Sequence, residues 1–426
     1  MAILPIDKYE KNPSVSSEVS ILKKVLVHRP DRGIEMVTPS NADSLLYDDI
    51  VFLPQMKWQH KNFQKVLAAF LGDENVIEFQ TLLRDLLSQE DKKLSLIKLV
   101  ATFEELDPEM EQKLSQLKSK RLAKVLTTGR LKGIAESLFP PLPNFIFTRD
   151  IGVMINDHLL TCLADKAPRK RESILAWFVF HNHPLFQSFQ NENKFIDLSE
   201  DEEGLLKQLA NPEISIEGGD VMILNKDHVF IGSSERTNEA TISKVAELIL
   251  KKAVAKYVTL IDIPKLSTCI HLDTLFTQIA ENDFVVYAPY LLGPGKVKIK
   301  QFQKGKVKSY ESFEQLLKEI KPEARLILCG GGKPPYDERE QYASGCNFVA
   351  LKDGVAISYR RNVATLKAIK KLGYTIMKVE DLLDQVHEGT VDMDRIEKTI
   401  ITVPSSELAR AGGGPHCLTM PIWRKI

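Results

Sequence analysis

The sequence AGGGPHC at residues 411–417 is the stretch around which the other parts of the chain can be placed. Its three consecutive glycines allow backbone conformations that other residues avoid, and Pro415 restricts the turn just before a cysteine. Such a loop can approach a bound ligand closely and can turn a thiol into a cavity. The apolar run at residues 418–423 can anchor the tail in the core. We therefore predict that Cys417 is a nucleophile, although a single free cysteine is more often a small buried hydrophobic residue.

Length and charge limit the class of protein. A chain of 426 residues can form one large domain or two or three smaller ones. Lysine plus arginine number 57, as do aspartate plus glutamate, so the formal net charge is zero. This balance indicates neither a nucleic-acid partner nor an acidic tail.

The cysteines favour a reducing compartment. They are odd in number, far apart, and form no C-x-x-C pair. The five cysteines are Cys162, Cys269, Cys329, Cys346 and Cys417. This pattern disfavours a disulfide framework and a zinc ribbon.

The N-terminus and the hydropathy pattern predict no membrane partner. Met1 to Pro5 is too short an apolar run for a signal peptide, and charged residues follow at once. No stretch approaches the length needed to span a bilayer. We therefore expect a soluble, cytoplasmic protein.

The early part of the chain changes from a strand pattern to helical patterns. Residues 23–28 (KKVLVH) predict a short strand. Over residues 58–138, apolar side chains recur at helical spacing, as they do from Phe63 to Phe70. Asp107 before Pro108 is typical of a helix start. We predict an inserted bundle of several helices in this segment.

After residue 138, strand–turn–strand units alternate with helical patterns. Each predicted turn contains an aspartate. These aspartates are Asp157, Asp227, Asp283 and Asp353. Helical patterns lie between them at residues 171–180, 237–252 and 363–371. The sequence predicts mixed β and α modules repeated about an axis, although the intervals of about sixty to seventy residues exceed the usual solenoid periods.

Reactive side chains lie just before these hairpins. Asp150 precedes the first, Glu217 the second, and His271 and Asp273 the third. If the modules repeat, these positions are equivalent and can point at a common centre with Cys417. Taken singly, each has a simpler explanation. Asp150 can cap a turn, Glu217 can be a turn acid, and His271 and Asp273 can be a core pair or metal ligands.

The motifs occur together in an order that identifies a family. They are LLYDD at 45–49, NFIFTRD at 144–150, RKRE at 169–172, FVFHNHP at 178–184, EGGD at 217–220, SERT at 234–237, HLDT at 271–274, Arg361-Asn362, and the glycine loop with Cys417. On these residues the chain resembles, nearly end to end, arginine deiminase of the guanidino-group-modifying superfamily.

The resemblance implies a fold and a domain organisation. It implies an α/β propeller of five pseudo-fivefold ββαβ modules, formed by residues 1–57 and 139–426, with residues 58–138 as an inserted α-helical bundle. It also implies a homo-oligomer, a dimer or higher. We expect a small-molecule substrate, no nucleic acid, no cofactor and no metal ion.

The implied reaction is hydrolysis of L-arginine to L-citrulline and ammonia through a covalent cysteine intermediate. A guanidinium is planar, cationic and donates in a fork, so Asp150 and Asp273 suit a role in holding it. Cys417 would attack the central carbon. His271 would protonate the departing ammonia and then take a proton from water. Glu217 would orient His271.

The resemblance also implies residues that bind the rest of the substrate. Arg169 and Arg236 would hold the carboxylate with help from Asn144. Phe147 and Leu46 would line the path of the aliphatic chain. An arginine often covers the substrate in this family, and Arg410 is the nearest candidate in this chain.

Three other functions remain open. The cysteine chemistry could serve another guanidino compound such as agmatine, or an amidino transfer. The chain could bind arginine without catalysis. A metal hydrolase using His271, Asp273 and His416 is disfavoured because no recognisable ligand spacing accompanies them.

Overall fold

The computed structural model describes residues 13–131, 133 and 137–425. Met1 to Pro5, from which the absence of a signal peptide was predicted, lie outside the described residues. So do residues 132 and 134–136 of the predicted helical insert.

The strands form five open sheets of mixed direction within the described residues. The strands are β1 Ile21–Val27, β2 Val76–Glu78, β3 Gly152–Ile155, β4 His158–Thr161, β5 Phe195–Ile196, β6 Val221–Asn225, β7 His228–Ser233, β8 Tyr257–Asp262, β9 Phe276–Gln278, β10 Asp283–Val286, β11 Lys298–Gln303, β12 Lys306–Tyr310, β13 Arg325–Leu328, β14 Val349–Lys352, β15 Val355–Tyr359, β16 Thr375–Lys378, β17 Thr399–Val403 and β18 Met420–Lys425. The strand orders are β18-β1-β2, β3-β4-β5, β12-β11-β8-β7-β6, β13-β10-β9 and β14-β15-β17-β16.

Helices connect and cover these sheets. They are α1 Leu53–Leu71, α2 Phe79–Leu86, α3 Glu90–Phe103, α4 Pro108–Ser115, α5 Ser119–Thr128, α6 Lys170–Asn182, α7 Gln187–Asn191, α8 Glu202–Ala210, α9 Glu239–Lys251, α10 Ala288–Leu291, α11 Phe313–Ile320, α12 Tyr336–Tyr342, α13 Val363–Lys370, α14 Val379–Glu388 and α15 Ser406–Arg410. The chain therefore has an α/β fold, as predicted.

One pairing pattern recurs in all five sheets. A strand pairs antiparallel on one side and parallel on the other: β1 does so with β18 and β2, and β4 with β3 and β5. The same holds for β7 with β6 and β8, β10 with β9 and β13, and β15 with β14 and β17. Parallel neighbours need a crossover connection, and a helix lies in each of these connections.

The predicted hairpins are present, with one difference. Asp157, Asp227 and Asp353 lie in turns, whereas Asp283 begins strand β10. There its carboxylate accepts hydrogen bonds from Arg325 Nη2 at 2.7 Å and Tyr374 Oη at 2.6 Å. Asp283 therefore ties three elements together instead of forming a turn.

The C-terminal run anchors the tail as predicted. Strand β18 pairs antiparallel with β1, with Met420 opposite Leu26. Arg424 is buried and donates from Nη1 to Ser20 O at 2.7 Å and from Nη2 to Ala350 O at 2.8 Å. The glycine loop before this strand is therefore fixed at its C-terminal end.

Helices fill most of the segment predicted to be helical, and they pack in two places. Phe63 and Leu67 of α1 belong to the same apolar cluster as Ile357 and Ile401 of β15 and β17. Helices α2 to α5 belong to another cluster, which they share with α6. The predicted helix start is confirmed, because the Asp107 side chain accepts a hydrogen bond from the backbone N–H of Met110 at 2.7 Å.

Within the described ranges, no helix combines the length and the apolar character needed to cross a membrane.

Candidate active site

A cavity of about 980 Å³ opens where the turns before the hairpins meet the glycine loop. Nine of the side chains singled out from the sequence line it. They are Leu46, Asn144, Phe147, Asp150, Arg169, Arg236, His271, Arg410 and Cys417. Glu217 and Asp273 are fully buried immediately behind this lining, where they bond to His271 and Cys417.

Three short 3₁₀ turns position the acidic groups and the imidazole. They span Thr148–Ile151, Gly218–Asp220 and Leu272–Thr274, and each leads into a hairpin. They are tied to one another, since Gly219 N donates to Asp150 Oδ1 at 3.2 Å and Leu272 N donates to Asp220 Oδ1 at 2.9 Å.

The two glycines of EGGD permit this close approach. A Cβ on Gly218 would lie 2.0 Å from Arg149 O, and a Cβ on Gly219 would lie 2.5 Å from His271 Nδ1. Real side chains do not tolerate such distances, so glycine is required here for space rather than for backbone conformation.

His271 is held in an acidic environment. Its Nε2 lies 2.9 Å from Glu217 Oε2, and its Nδ1 lies 3.7 Å from Asp150 Oδ1. Burial by itself would lower the pKa of His271, but the carboxylates of Asp150, Glu217 and Asp220 outweigh it and raise the pKa to about 10. The imidazole therefore carries a proton at neutral pH.

Arg169 shares the same carboxylates. Its Nη1 lies 2.9 Å from both Asp150 Oδ2 and Glu217 Oε2, while its Nε and Nη2 donate to Glu172 Oε2 at 3.0 and 2.9 Å. Although burial opposes ionisation, Arg169 and His271 hold the pKa of Glu217 well below its usual range. Burial raises the pKa of Glu172 to about 7 despite its contact with Arg169.

Among the described residues, the acidic and histidine side chains that could together hold a metal ion are Asp150, Glu217 and His271. Arg169 already lies between the two carboxylates as their cationic partner. These donors thus fit a guanidinium better than a metal ion.

The loop fixes Cys417 through its backbone. Asn347 Oδ1 accepts the N–H groups of His416 at 3.0 Å and Cys417 at 3.1 Å. A Cβ on Gly414 would lie 2.5 Å from that same oxygen, so the third glycine makes room for Asn347. The Cys417 thiol is directed at Asp273 Oδ2, 3.4 Å away.

The protonation state of Cys417 follows from these surroundings. Burial, Asp273 and Asp150 together raise the pKa of the thiol well above its ordinary value. The thiol of the ligand-free site is therefore protonated at neutral pH.

A buried chain of ions supports Asp273. His416 Nδ1 lies 2.8 Å from Asp273 Oδ2, and His416 Nε2 lies 3.3 Å from Glu18 Oε2. Arg149 Nη2 donates to Glu18 Oε1 at 2.7 Å. Burial alone would raise the pKa of Asp273, but His416 outweighs it and lowers the pKa.

One oxygen of Asp273 has no partner. Asp273 Oδ1 is buried and makes no hydrogen bond in the described part of the chain. An unpaired buried carboxylate oxygen is costly, so this atom is an acceptor that a ligand can satisfy.

The remaining candidate residues from the sequence lie around the cavity and differ in how far their polar atoms are already paired. Asn144 Nδ2 donates to Leu45 O at 2.8 Å. Arg236 is buried with its Nη1 3.9 Å from Glu217 Oε1, and its Nε has no partner among the described residues. Phe147 contacts the glycine loop, since a Cβ on Gly413 would lie 2.2 Å from its ring.

Two candidates lie at the mouth of the cavity. Leu46 adopts a left-handed backbone conformation with φ of 63° and is half-buried. Arg410 is 42% exposed and pairs with Asp49 at 3.1 Å and Glu407 at 3.3 Å. Arg410 is therefore held at the rim by acidic neighbours.

The sequence did not assign roles to several residues that shape the site. They are Glu18, Arg149, Glu172, Asn347 and, as a partner of Asp273, His416. Arg149, Glu172 and His416 belong to motifs that indicate the site, but those motifs do not reveal which side chains they contact. Glu18 and Asn347 carried no local signal.

The comparisons with known proteins point to one family. A sequence model of the arginine deiminase family matches residues 128–424. The arginine deiminase of Mycoplasma capricolum subsp. capricolum is 30% identical over 434 aligned residues, which cover 98% of each chain. The arginine deiminase of Listeria welshimeri serovar 6b is 28% identical and covers 98% of this chain and 99% of its own.

The solved structures agree in fold. The amidinotransferase SxtG of Microseira wollei, from a saxitoxin biosynthetic pathway, is 13% identical and superposes with a TM-score of 0.52. The match covers 97% of this chain and 98% of that protein. It shows a shared α/β fold.

The raised pKa of Cys417 predicts how the rate of alkylation of the ligand-free thiol depends on pH. Because only the thiolate is alkylated, iodoacetamide should modify Cys417 slowly at neutral pH. The rate should keep rising above about pH 8.5, the ordinary thiol value, and should not level off near pH 9. The measurement is mass-spectrometric quantification of the modified peptide. A rate that reaches a plateau below about pH 7 would mean that the resting site already stabilises a thiolate.

Proposed function

The chain belongs to the arginine deiminase family, and from this premise we propose that it hydrolyses the guanidinium group of L-arginine to L-citrulline and ammonia. The observation that carries the proposal is the cavity in which Cys417, His271 and Asp150 meet, with Asp273 buried behind it. One oxygen of Asp273 contacts the thiol, and its other oxygen has no partner among the described residues. A thiol among buried carboxylates suits a planar cationic substrate and repels an anionic one.

The substrate guanidinium is held by Asp150 and Asp273. The free Oδ1 of Asp273 accepts from one edge of the fork, and Asp150 accepts from another. Their positions hold the central carbon of the guanidinium near the thiol. Holding the two reacting atoms close together is the main way in which substrate binding increases the rate. The positive charge of the bound substrate also lowers the pKa of Cys417, so that the nucleophile forms only when substrate is present.

The first half of the reaction forms a covalent intermediate. As the cationic substrate binds, the thiol proton passes to bulk water, and the sulfur forms a bond to the guanidinium carbon while one carbon–nitrogen π bond opens onto nitrogen. His271, protonated because of its acidic neighbours, gives its proton to the departing nitrogen. The carbon–nitrogen bond breaks, ammonia leaves, and an amidino group remains bound to Cys417.

The second half consumes water. His271, now neutral, takes a proton from water as its oxygen bonds to the amidino carbon. The carbon–sulfur bond then breaks, the sulfur departs as thiolate, and the hydroxyl proton is released to leave the ureido group of citrulline. Glu217 keeps Nε2 of the imidazole fixed throughout, because Arg169 and the backbone turn hold that carboxylate in place.

Arg236 is the residue best placed to bind the α-carboxylate of arginine. It lines the cavity, it is buried, and its Nε lacks a partner among the described residues. Arg169, by contrast, already donates to three carboxylates, so its part in carboxylate binding is shared with holding Asp150 and Glu217. Asn144 assists, Phe147 and Leu46 flank the methylene groups, and Arg410 covers the mouth.

From membership of the family we also propose the propeller architecture, the domain boundaries, the cellular location and the assembly. The recurring antiparallel–parallel pairing in five sheets supports a pseudo-fivefold propeller of ββαβ modules, with residues 1–57 and 139–426 as the catalytic domain and 58–138 as the insert. The run of four consecutive helices α2 to α5, which pack in one apolar cluster, supports an inserted bundle. The five free cysteines support a cytoplasmic location, and a homo-oligomer is the expected assembly.

Replacing the nucleophile tests the function. We expect Cys417→Ala to lower kcat for citrulline formation by about 10⁴-fold or more, because the covalent route is removed. Cys329→Ser is the matched control: Cys329 is buried, does not line the cavity, and accepts a hydrogen bond from Thr365 that serine preserves. The proposal fails if Cys417→Ala retains turnover, or if the wild-type chain forms no citrulline from arginine.

Replacing Arg236 tests the choice of substrate. Losing a charge-assisted hydrogen bond costs about 1.5–3 kcal/mol, so Arg236→Gln should lower kcat/KM for L-arginine by roughly 10- to 100-fold. Agmatine lacks the carboxylate, so any kcat/KM measured with agmatine should change less than about threefold by the same reasoning. Steady-state kinetics with both compounds provide the measurement. Equal losses for the two substrates would mean that Arg236 supports the site and not the carboxylate.

A further inference from the structure

A second cavity, of about 1010 Å³, lies away from the candidate active site. The turn after β1, the first turns of α1, and helices α2 and α5 enclose it. It shares no lining residue with the active-site cavity. Nothing in the reaction described above uses it.

Its lining is strongly basic. Seven arginine or lysine side chains face it against three carboxylates, whereas the whole chain has a formal net charge of zero. Cations contributed by four different elements around one concave surface are unusual for a neutral protein, since they repel one another unless an anion lies between them.

The carboxylates of this cavity are already engaged. Asp31 accepts from Gly33 N at 2.7 Å and from Thr127 Oγ1 at 2.8 Å. Glu78 Oε1 lies 2.9 Å from His28 Nδ1. Burial by itself would lower the pKa of His28, but Glu78 outweighs it and raises the pKa, which favours a charge that offsets the carboxylate.

Four of the cations have no such partner. Lys57, Arg84, Arg121 and Lys124 make no side-chain hydrogen bond or ion pair with any described residue. Arg121 and Lys124 are three residues apart on α5 and therefore share one face of that helix. Arg84 lies three residues after Thr81 on α2, so a hydroxyl accompanies its guanidinium on the same face.

We propose that this cavity binds a small polyanion of the class of phosphate esters and polyphosphates. Arginine forks match phosphate oxygens bidentately, and lysines add charge without a fixed direction. Thr81 and Thr128, which also line the cavity, supply hydroxyl donors. A volume near 1000 Å³ is large enough for several phosphate groups.

Such a ligand would join two parts of the fold. Arg84 and Arg121 belong to the helices α2 and α5, whose apolar cluster is separate from that of α1, which carries Lys57. A polyanion that contacts both parts stabilises their packing by mass action, since it binds the folded chain alone. The inference is independent of the reaction proposed for the other cavity.

The test is a calorimetric titration of inorganic tripolyphosphate into the full chain at low salt. We expect saturable binding at one site that weakens as salt is added, with a rise in the thermal unfolding temperature. Arg121→Glu and, as a second variant, Lys124→Glu should each weaken binding by about tenfold or more, since both are exposed and should leave the fold intact. A parallel titration with ATP distinguishes a nucleotide from inorganic polyphosphate.

Two control variants make the test specific. Arg395→Glu reverses a charge that is 87% exposed and whose ion-pair partner among the described residues is Asp392, and this variant should bind tripolyphosphate as the wild type does. Arg236→Gln should also bind normally, because Arg236 lines the other cavity. The proposal is overturned if the wild type shows no saturable binding, if Arg121→Glu and Lys124→Glu bind as well as the controls, or if single-stranded RNA binds more tightly than tripolyphosphate.

Discussion

The buried carboxylate of Glu217 pairs with two cationic side chains of the candidate active site, Arg169 and His271. Its Oε2 lies 2.9 Å from both Arg169 Nη1 and His271 Nε2, and the side chain is fully buried. Removing one partner of such a buried set costs about 3–5 kcal/mol, because a charge is left without compensation. The same contact that fixes the imidazole in place also keeps it protonated. The contact with Glu217 therefore sets both the position and the pKa of the His271 imidazole.

The other carboxylates follow from this arrangement. Asp150 shares Arg169 with Glu217, and Asp273 is held by His416, which Glu18 and Arg149 support in turn. Among the described residues, Asp273 Oδ1 is a buried acidic oxygen that the protein leaves without a hydrogen-bond partner, on the same carboxylate whose Oδ2 contacts the thiol. A cationic substrate completes the set. Burial and nearby carboxylates raise the pKa of Cys417 in the ligand-free site and so keep its thiol protonated. Formation of the nucleophilic thiolate therefore depends on the bound cationic substrate.

The sequence predicted the chemistry better than the contacts that support it. The thiol loop, the hairpins and the acidic motifs before them could be read locally, because glycine spacing and alternation of apolar residues depend on short stretches. Asn347 and Glu18 could not, since they act on residues far along the chain and lie in no recognisable pattern. Arg169 is predicted to bind a carboxylate of the substrate, and its contacts with three carboxylates of the protein were not predictable from its basic local sequence. Asp283 has the local sequence of a turn residue, but its backbone begins strand β10 opposite Arg325, and its carboxylate bonds to Arg325 and Tyr374.

The covalent intermediate is the central claim, and rapid quenching in acid tests it most directly. The wild-type chain is mixed with excess L-arginine, quenched at increasing times and digested, and the peptide that contains Cys417 is weighed by mass spectrometry. We predict a transient adduct on that peptide with the mass of arginine less ammonia, present while citrulline accumulates and absent once arginine is exhausted. Citrulline formation during which that peptide never gains mass, or an adduct confined to another residue, would contradict the account.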